Sequence, residues 1–188
     1  MLRSFSLALL VLFSVGMAAQ DKRTLMVEVL QTARDFGQVA PVWHIISRQE
    51  DIFRFVPSVA PLKERYRISD RFGYRVHPIS GRRAFHAGLD MAAEYAATVH
   101  ATASGTVSFS GNVPGYGKTV VVTHRFGFQT RYAHLTRIYR HKGDAVEKGE
   151  VVGFVGSTGL STGNHLHYEV IKNNRMINPI NFMYGTDE

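Results

Sequence analysis

From Pro57 onward the sequence is built of short β-branched runs separated by glycine-rich loops, and no apolar pattern of helix length interrupts them. That rhythm constrains the fold more than any other feature. Alternation of apolar and polar residues over four to eight positions specifies half-buried strands. Thr106–Ser110, Lys118–His124, Phe128–His134, Val151–Val155 and Leu166–Ile171 are runs of this kind. Arg125-Phe126-Gly127 joins the second run to the third as a β-hairpin. Loops are marked at Asn112–Gly117, Lys142–Asp144 and Ser157–Gly163. The expectation is a mainly β protein whose antiparallel sheet occupies residues 57–188.

Residues 20–56 read instead as a short helical hairpin. Leu25, Met26, Val29, Leu30, Ala33 and Phe36 recur at spacings of three and four, and Gly37 is the expected stop. Pro41 opens a second stretch with a rougher apolar face at Val42, Ile45, Ile46, Ile52, Phe53 and Val56, with Trp43 in its core. Charges interrupt both faces, which fits packing rather than membrane insertion.

Residues 1–19 have the character of a secretory signal. Arg3 precedes an uncharged apolar run of eleven residues, Phe5 to Val15. Small residues follow at Gly16, Ala18 and Ala19, and the chain turns polar at Gln20. The run is shorter than the roughly 18–20 residues of a membrane span. Cleavage after Ala18 or Ala19 is expected, leaving no stable membrane anchor. The chain has no cysteine, which excludes a disulfide scaffold, thiol catalysis and a thiolate metal site. Export without cysteine suits a bacterial periplasm or cell envelope. The formal net charge is +7, and removal of Arg3 with the signal leaves +6. Such a charge suits an anionic envelope polymer. Acidic residues interleave with the basic ones, as in Lys63-Glu64-Arg65, so with the export signal a nucleic-acid partner is not expected.

Without thiols, metal and acid–base chemistry falls to carboxylates and to the nine histidines. Three segments carry them. In His86-Ala-Gly-Leu-Asp90, read as one strand, positions 86, 88 and 90 share a face, Gly88 leaves room between two ligands, and Leu89 and Met91 point to the core. In His165-Leu-His167-Tyr-Glu169, the residues 165, 167 and 169 share a face. Two neighbouring imidazoles repel when protonated, and metal ligation needs them neutral. The third segment is Tyr132-Ala-His134. Each segment alone is compatible with ordinary surface or strand-end histidines. Together they hold more donors than a closed structural site needs, whereas a catalytic zinc keeps three protein ligands and one open position.

These segments, in this order, resemble the lysostaphin-type (LytM-type) zinc metallopeptidases that cut peptidoglycan peptides. The resemblance runs from about Pro57 to Phe182. Its landmarks are Arg71-Phe-Gly-Tyr-Arg-Val-His-Pro-Ile79, His86-Ala-Gly-Leu-Asp90, Gly115-Tyr-Gly117, Tyr132-Ala-His-Leu135, Gly156 to Val170, and Asn178-Pro179. It implies one zinc per chain held by His86, Asp90 and His167, and His134 and His165 as catalytic histidines beside the metal. It also implies a β-sheet groove walled by loops, and peptidoglycan as the partner. Two departures stand out: the family often has a glycine near Ala97 and a proline at Asn164.

Around this set, Glu169 is read either as orienting a histidine or as a structural or solvent-facing acid. Tyr116 is read as lining the groove or as a plain loop tyrosine. Arg71, Arg75, Arg82 and Arg83 are candidates for stem-peptide carboxylates. His44, His77, His100, His124 and His141 lack sequence partners. The reading is an exported zinc endopeptidase of peptidoglycan cross-links or stem peptides. Its alternatives are a catalytically silent wall-binding or activator module of the same fold, and another zinc hydrolase, such as an amidase or carboxypeptidase, acting on the same polymer.

Overall fold

The computed structural model of the chain describes residues 19–76 and 81–183. The signal-like stretch up to Ala18 and His77 lie outside the described residues. The described chain divides into two compact units, one ending at Phe53 and one beginning at Arg54.

The N-terminal unit is helical, but less regular than its sequence pattern suggests. Helix α1 spans Ala19–Thr32 and buries Met26, Val29 and Leu30, with Ala33 buried just beyond its end. It ends four residues before Phe36. Asp35 then accepts a hydrogen bond from the Gln38 N–H and opens a 3-10 turn, Phe36–Gln38. Gly37 lies inside that turn, so it is not the helix stop expected. The second helical stretch is broken as well, into a 3-10 turn Ala40–Val42 and the one-turn helices α2 (Trp43–Ile46) and α3 (Glu50–Phe53). Trp43 binds the pieces together, edge-to-face with Phe36 and Phe53 at 5.2 Å each. Among the described residues no helix is long and apolar enough to cross a membrane.

The C-terminal unit is antiparallel β. Its strands are β1 (Tyr66–Asp70), β2 (Gly73–Val76), β3 (Arg83–His86), β4 (Leu89–Ala93), β5 (Thr98–His100), β6 (Gly105–Val113) and β7 (Gly117–Thr123). They continue as β8 (Phe128–Leu135), β9 (Arg137–Ile138), β10 (Ala145–Val146), β11 (Val151–Phe154), β12 (His165–Lys172) and β13 (Arg175–Ile177). The large sheet runs β1-β4-β12-β8-β7-β6-β10, with β13 beside β12. A three-stranded sheet β5-β11-β9 and the hairpin β2-β3 complete the unit. The expected strand runs all fall on these strands. The β7–β8 turn is tight because Phe126 and Gly127 both take positive φ, 59° and 73°. Gly127 has a second reason to be glycine: a Cβ there would strike the Asn173 side chain.

One face of the large sheet is core. Leu89, Met91, Val120, Val122, Tyr132, Leu166, Tyr168 and Val170 are all fully buried. The two tyrosine hydroxyls are satisfied through Thr102, which donates its N–H to Tyr132 Oη (2.9 Å) and meets Tyr168 Oη at 2.8 Å. Thr130 donates to Tyr132 Oη, and His124 Nε2 lies 2.8 Å from Thr130 Oγ1. The His124 Nδ1–H donates to the Ser104 carbonyl. Ala96 takes φ 64°, a region that costs an L-residue with a Cβ about 1–2 kcal/mol.

Burial lowers the pKa of His124 to about 4. Between the unfolded value of about 6.5 and that value, the unfolded chain takes up a proton that the folded chain refuses. Stability contributed by neutral His124 is therefore lost as pH falls from about 6.5 to 4, up to about 3 kcal/mol. Urea unfolding at pH 7, 6 and 5 should show a shallower pH slope for His124→Gln than for the wild type.

Candidate metal centre

The site lies on the other face of the large sheet, where β4, β12 and β8 adjoin. His167 is register partner to Asp90 on β4 and to Ala133 on β8. The segment 86–90 is not one strand, as its spacing suggested. His86 ends β3 in the small hairpin, the chain bends at Ala87-Gly88, and β4 begins at Leu89. Gly88 leaves room within the ligand group, though for the third ligand and a neighbouring backbone. A Cβ there would lie 2.5 Å from the Tyr168 carbonyl oxygen and 2.9 Å from the His167 ring. The bend thus lets two strands of different sheets bring His86 and Asp90 against the same imidazole.

The three side chains converge. Nδ1 of His167 lies 2.7 Å from Asp90 Oδ1, and His86 Nε2 lies 3.1 Å from that nitrogen and 3.2 Å from the same oxygen. All three offer ligand atoms within 4.8 Å of one another, and the group could hold a metal ion. Each far nitrogen is already engaged. The His86 Nδ1–H donates to the Arg71 carbonyl (2.9 Å), and the His167 Nε2–H donates to Glu169 Oε1 (3.0 Å). These bonds fix the tautomers so that two neutral lone pairs and one carboxylate oxygen face a common point, the arrangement a zinc site needs.

Burial opposes ionisation of Asp90, but the adjoining His167 and His86 imidazoles outweigh it and hold the carboxyl well below the usual range. Burial likewise opposes charge on His167, yet Asp90 and Glu169 raise its pKa. Glu169 is fully buried, so the solvent-facing reading is overturned. It accepts from Tyr116 Oη (2.8 Å) and pairs with Arg131 (2.7 Å) as well as holding His167. Burial and the Glu169 carboxylate raise the Tyr116 phenol, which keeps it a donor. The Tyr116 ring stands edge-on to His167 at 5.4 Å.

Two more histidines border the group. His134 and His165 have ring centroids 4.7 Å apart. His134 Nδ1–H donates to the Thr158 carbonyl (2.8 Å), and His165 Nδ1–H to the Gly163 carbonyl (2.9 Å). Both Nε2 lone pairs are left free by these bonds; that of His165 lies 3.8 Å from Asp90 Oδ1. Burial lowers the His134 pKa to about 4. Strict alternation would send His134 to the core face, since Ala133 pairs with His167 and Tyr132 with Tyr168. A register irregularity and φ 60° at His134 break the alternation. A non-glycine residue held there is strained by about 1–3 kcal/mol, a cost that recurs at functional sites.

A cleft of about 230 Å³ opens over the group, lined also by Arg75, Phe85, Tyr116, Leu160, Ser161 and Thr162. Six of the seven residues singled out for the site, His86, Asp90, Tyr116, His134, His165 and His167, line this cleft, and Glu169 is buried against His167. His100 and His124 are buried elsewhere in hydrogen bonds, and His44 and His141 are exposed. The sequence reading missed Arg131 and the carbonyls of Arg71, Thr158 and Gly163. Only Arg131 carried a signal, two residues before Ala133 on the hairpin strand.

The model of peptidase family M23 matches residues 84–179, half of the chain. The chain belongs to peptidase family M23. The match includes every residue of the metal group and both bordering histidines. M23 proteins are zinc metallopeptidases. The chain is 47% identical over 122 residues to the DD-carboxypeptidase/endopeptidase Mpg of Neisseria meningitidis, covering 65% of this chain and 28% of that protein. It therefore spans between a quarter and a third of that relative. A zinc-containing peptidase from Vibrio cholerae superposes with a TM-score of 0.62 at 35% identity, covering 67% of this chain and 39% of that one. The catalytic domain of lysostaphin from Staphylococcus simulans does so with a TM-score of 0.58 at 28% identity, covering 62% and 91%. The lysostaphin-like antiparallel fold is thus the M23 fold.

Two outcomes follow. Gly88→Ala should lower stability by about 1–3 kcal/mol through overpacking and weaken zinc binding, read by thermal melts with and without zinc. Protons compete with metal for His167, whose pKa is raised, so zinc affinity should fall as pH drops and recover as it rises. Zinc titrations from pH 5 to 8 measure this.

Proposed function

We propose that the chain is an exported zinc endopeptidase that hydrolyses peptide bonds in peptidoglycan cross-links or stem peptides. The observation that carries this is the pairing of a three-ligand group, His86, Asp90 and His167, with two histidines that are not needed as ligands. Both present Nε2 to the same cleft. Zinc held by the three ligands supplies Lewis acidity for the scissile carbonyl and lowers the pKa of a water towards about 7.

The chain's own residues do the rest. The Glu169 carboxylate and the Arg71 carbonyl hold His167 and His86 in the tautomers that face the metal. Nε2 of His134 or of His165 takes the proton as water oxygen adds to the amide carbon. The same or the neighbouring imidazole returns a proton to the amine nitrogen as the C–N bond breaks. An imidazolium of low pKa gives up its proton readily, which suits His134 to that second transfer. Tyr116, held by Glu169, lines the cleft where substrate backbone passes. The substrate lies in the cell envelope, so the activity requires export; the signal-like residues 1–19 fit that route. In this reading residues 57–188 are the peptidase unit and residues 20–56 its helical preface.

His134→Ala and His165→Ala should keep near-stoichiometric zinc and lose about 10²–10⁴ in turnover, whereas His86→Ala, Asp90→Ala and His167→Ala should lose the zinc itself. Zinc content and mass spectrometry of digested sacculi measure both. A wild-type chain that binds sacculi and zinc but releases no fragment is instead the silent binding module, and this proposal is wrong.

A further inference from the structure

The cleft offers one permanently cationic side chain among the described residues lining it, Arg75. The other candidate arginines do not line it. Arg71 is exposed and serves the site through its carbonyl, Arg82 is exposed, and Arg83 lies over the Tyr74 ring at 4.8 Å.

Arg75 is placed by the register of the β2–β3 hairpin. Gly73 pairs with His86 and Arg75 with Ala84, while Tyr74 pairs with Phe85. Cross-strand partners share a face. Gly73, Arg75, Ala84 and His86 therefore form the inner face, and Tyr74, Val76, Arg83 and Phe85 form the more exposed one. Gly73 and Ala84 are small, so nothing bulky on the hairpin's inner face separates Arg75 from His86. At about 3.4 Å per strand residue, Arg75 sits roughly 7 Å along the strand from the partner of His86. That is two residues' rise along an extended chain, a distance an arginine side chain can span.

The guanidinium is paired but not saturated. Its Nε lies 2.8 Å from Asp70 Oδ2 as an ion pair, and Asp70 is the register partner of Asp90. The side chain is 20% exposed. Its Nε and Nη1 are buried and neither makes a hydrogen bond among the described residues. A guanidinium with one carboxylate beside it and unmet donors at the border of a cleft matches a second carboxylate.

We infer that Arg75 sets the substrate specificity of this cleft by binding a free carboxylate on the carbon that carries the leaving amine. The inference rests on the peptidase reading and names the substrate class within it. Two peptidoglycan peptides have that carboxylate in that place: a D-alanine to diaminopimelate cross-link, and a terminal D-alanyl-D-alanine. One guanidinium would thus serve both the cutting of such a cross-link and the trimming of such an end. A cross-link to a lysine side chain lacks the group, because the carbon bearing its amide nitrogen is a methylene.

The test uses the full zinc-loaded chain and two cross-linked muropeptides that differ only in this diaminopimelate carboxylate, free in one and amidated in the other. The wild type should show kcat/KM roughly 10- to 100-fold higher on the free acid, the range of a charge-assisted hydrogen bond. Arg75→Gln should bring the ratio towards parity, chiefly through KM, and Arg75→Lys should fall between. Zinc content and circular dichroism are read alongside. Should Arg75→Gln not fold, Arg75→Lys and the wild-type ratio carry the test. Equal cleavage of both peptides by the wild type overturns the inference but leaves the peptidase reading standing, as does a preference that survives in Arg75→Gln. Cleavage of neither peptide, nor of sacculi, overturns both.

Discussion

The site depends first on the register of β12 between β4 and β8. Side chains on a strand alternate with a period of two, and a slip of one residue sends every side chain to the opposite face. On β12 that alternation separates two tasks. Leu166, Tyr168 and Val170 are fully buried in the core, which pins the register. His165, His167 and Glu169 are thereby committed to the other face. The hydrophobic effect positions the metal-facing histidine indirectly, by fixing its neighbours.

Two local departures from regular structure complete the group. The bend at Ala87-Gly88 lets His86 leave one sheet and Asp90 enter another while both meet His167. The left-handed residue at His134 turns its imidazole off the core face and into the cleft. Backbone bonds stabilise the second departure: the His134 N–H donates to Tyr116, and the Thr158 N–H reaches back to His134. The loops that wall the cleft thus also hold the strained residue.

Charge is arranged in a chain across the sheet. Arg131 pairs with Glu169, Glu169 holds His167, and His167 meets Asp90. Such buried charges are tolerable only while each is partnered, and removing one member leaves the others uncompensated. The chain also gives His167 a high proton affinity, so metal and proton compete for the same nitrogen. Asp70 and Arg75 form a second pair beside Asp90, and there the guanidinium of a cleft-lining residue retains unmet donors.

Much of this was legible in the sequence, for a definable reason. Period-two runs and glycine punctuation are local properties, so the strands, the β7–β8 hairpin and the common face of His165, His167 and Glu169 could be read directly. The order of the motifs carried the metal group. The helical preface was harder to read, because apolar spacing does not show where Asp35 will cap a turn or where a helix breaks after Thr32. What the tertiary structure alone decided lies in contacts between distant segments. The break in strand at Gly88, the inversion of His134, the burial of Glu169 and the approach of Arg75 to the cleft all depend on which backbone passes beside them. Spacing along one chain fixes which face a side chain takes while a strand stays regular. It cannot show where the strand must bend, because the atoms that force the bend come from elsewhere in the fold.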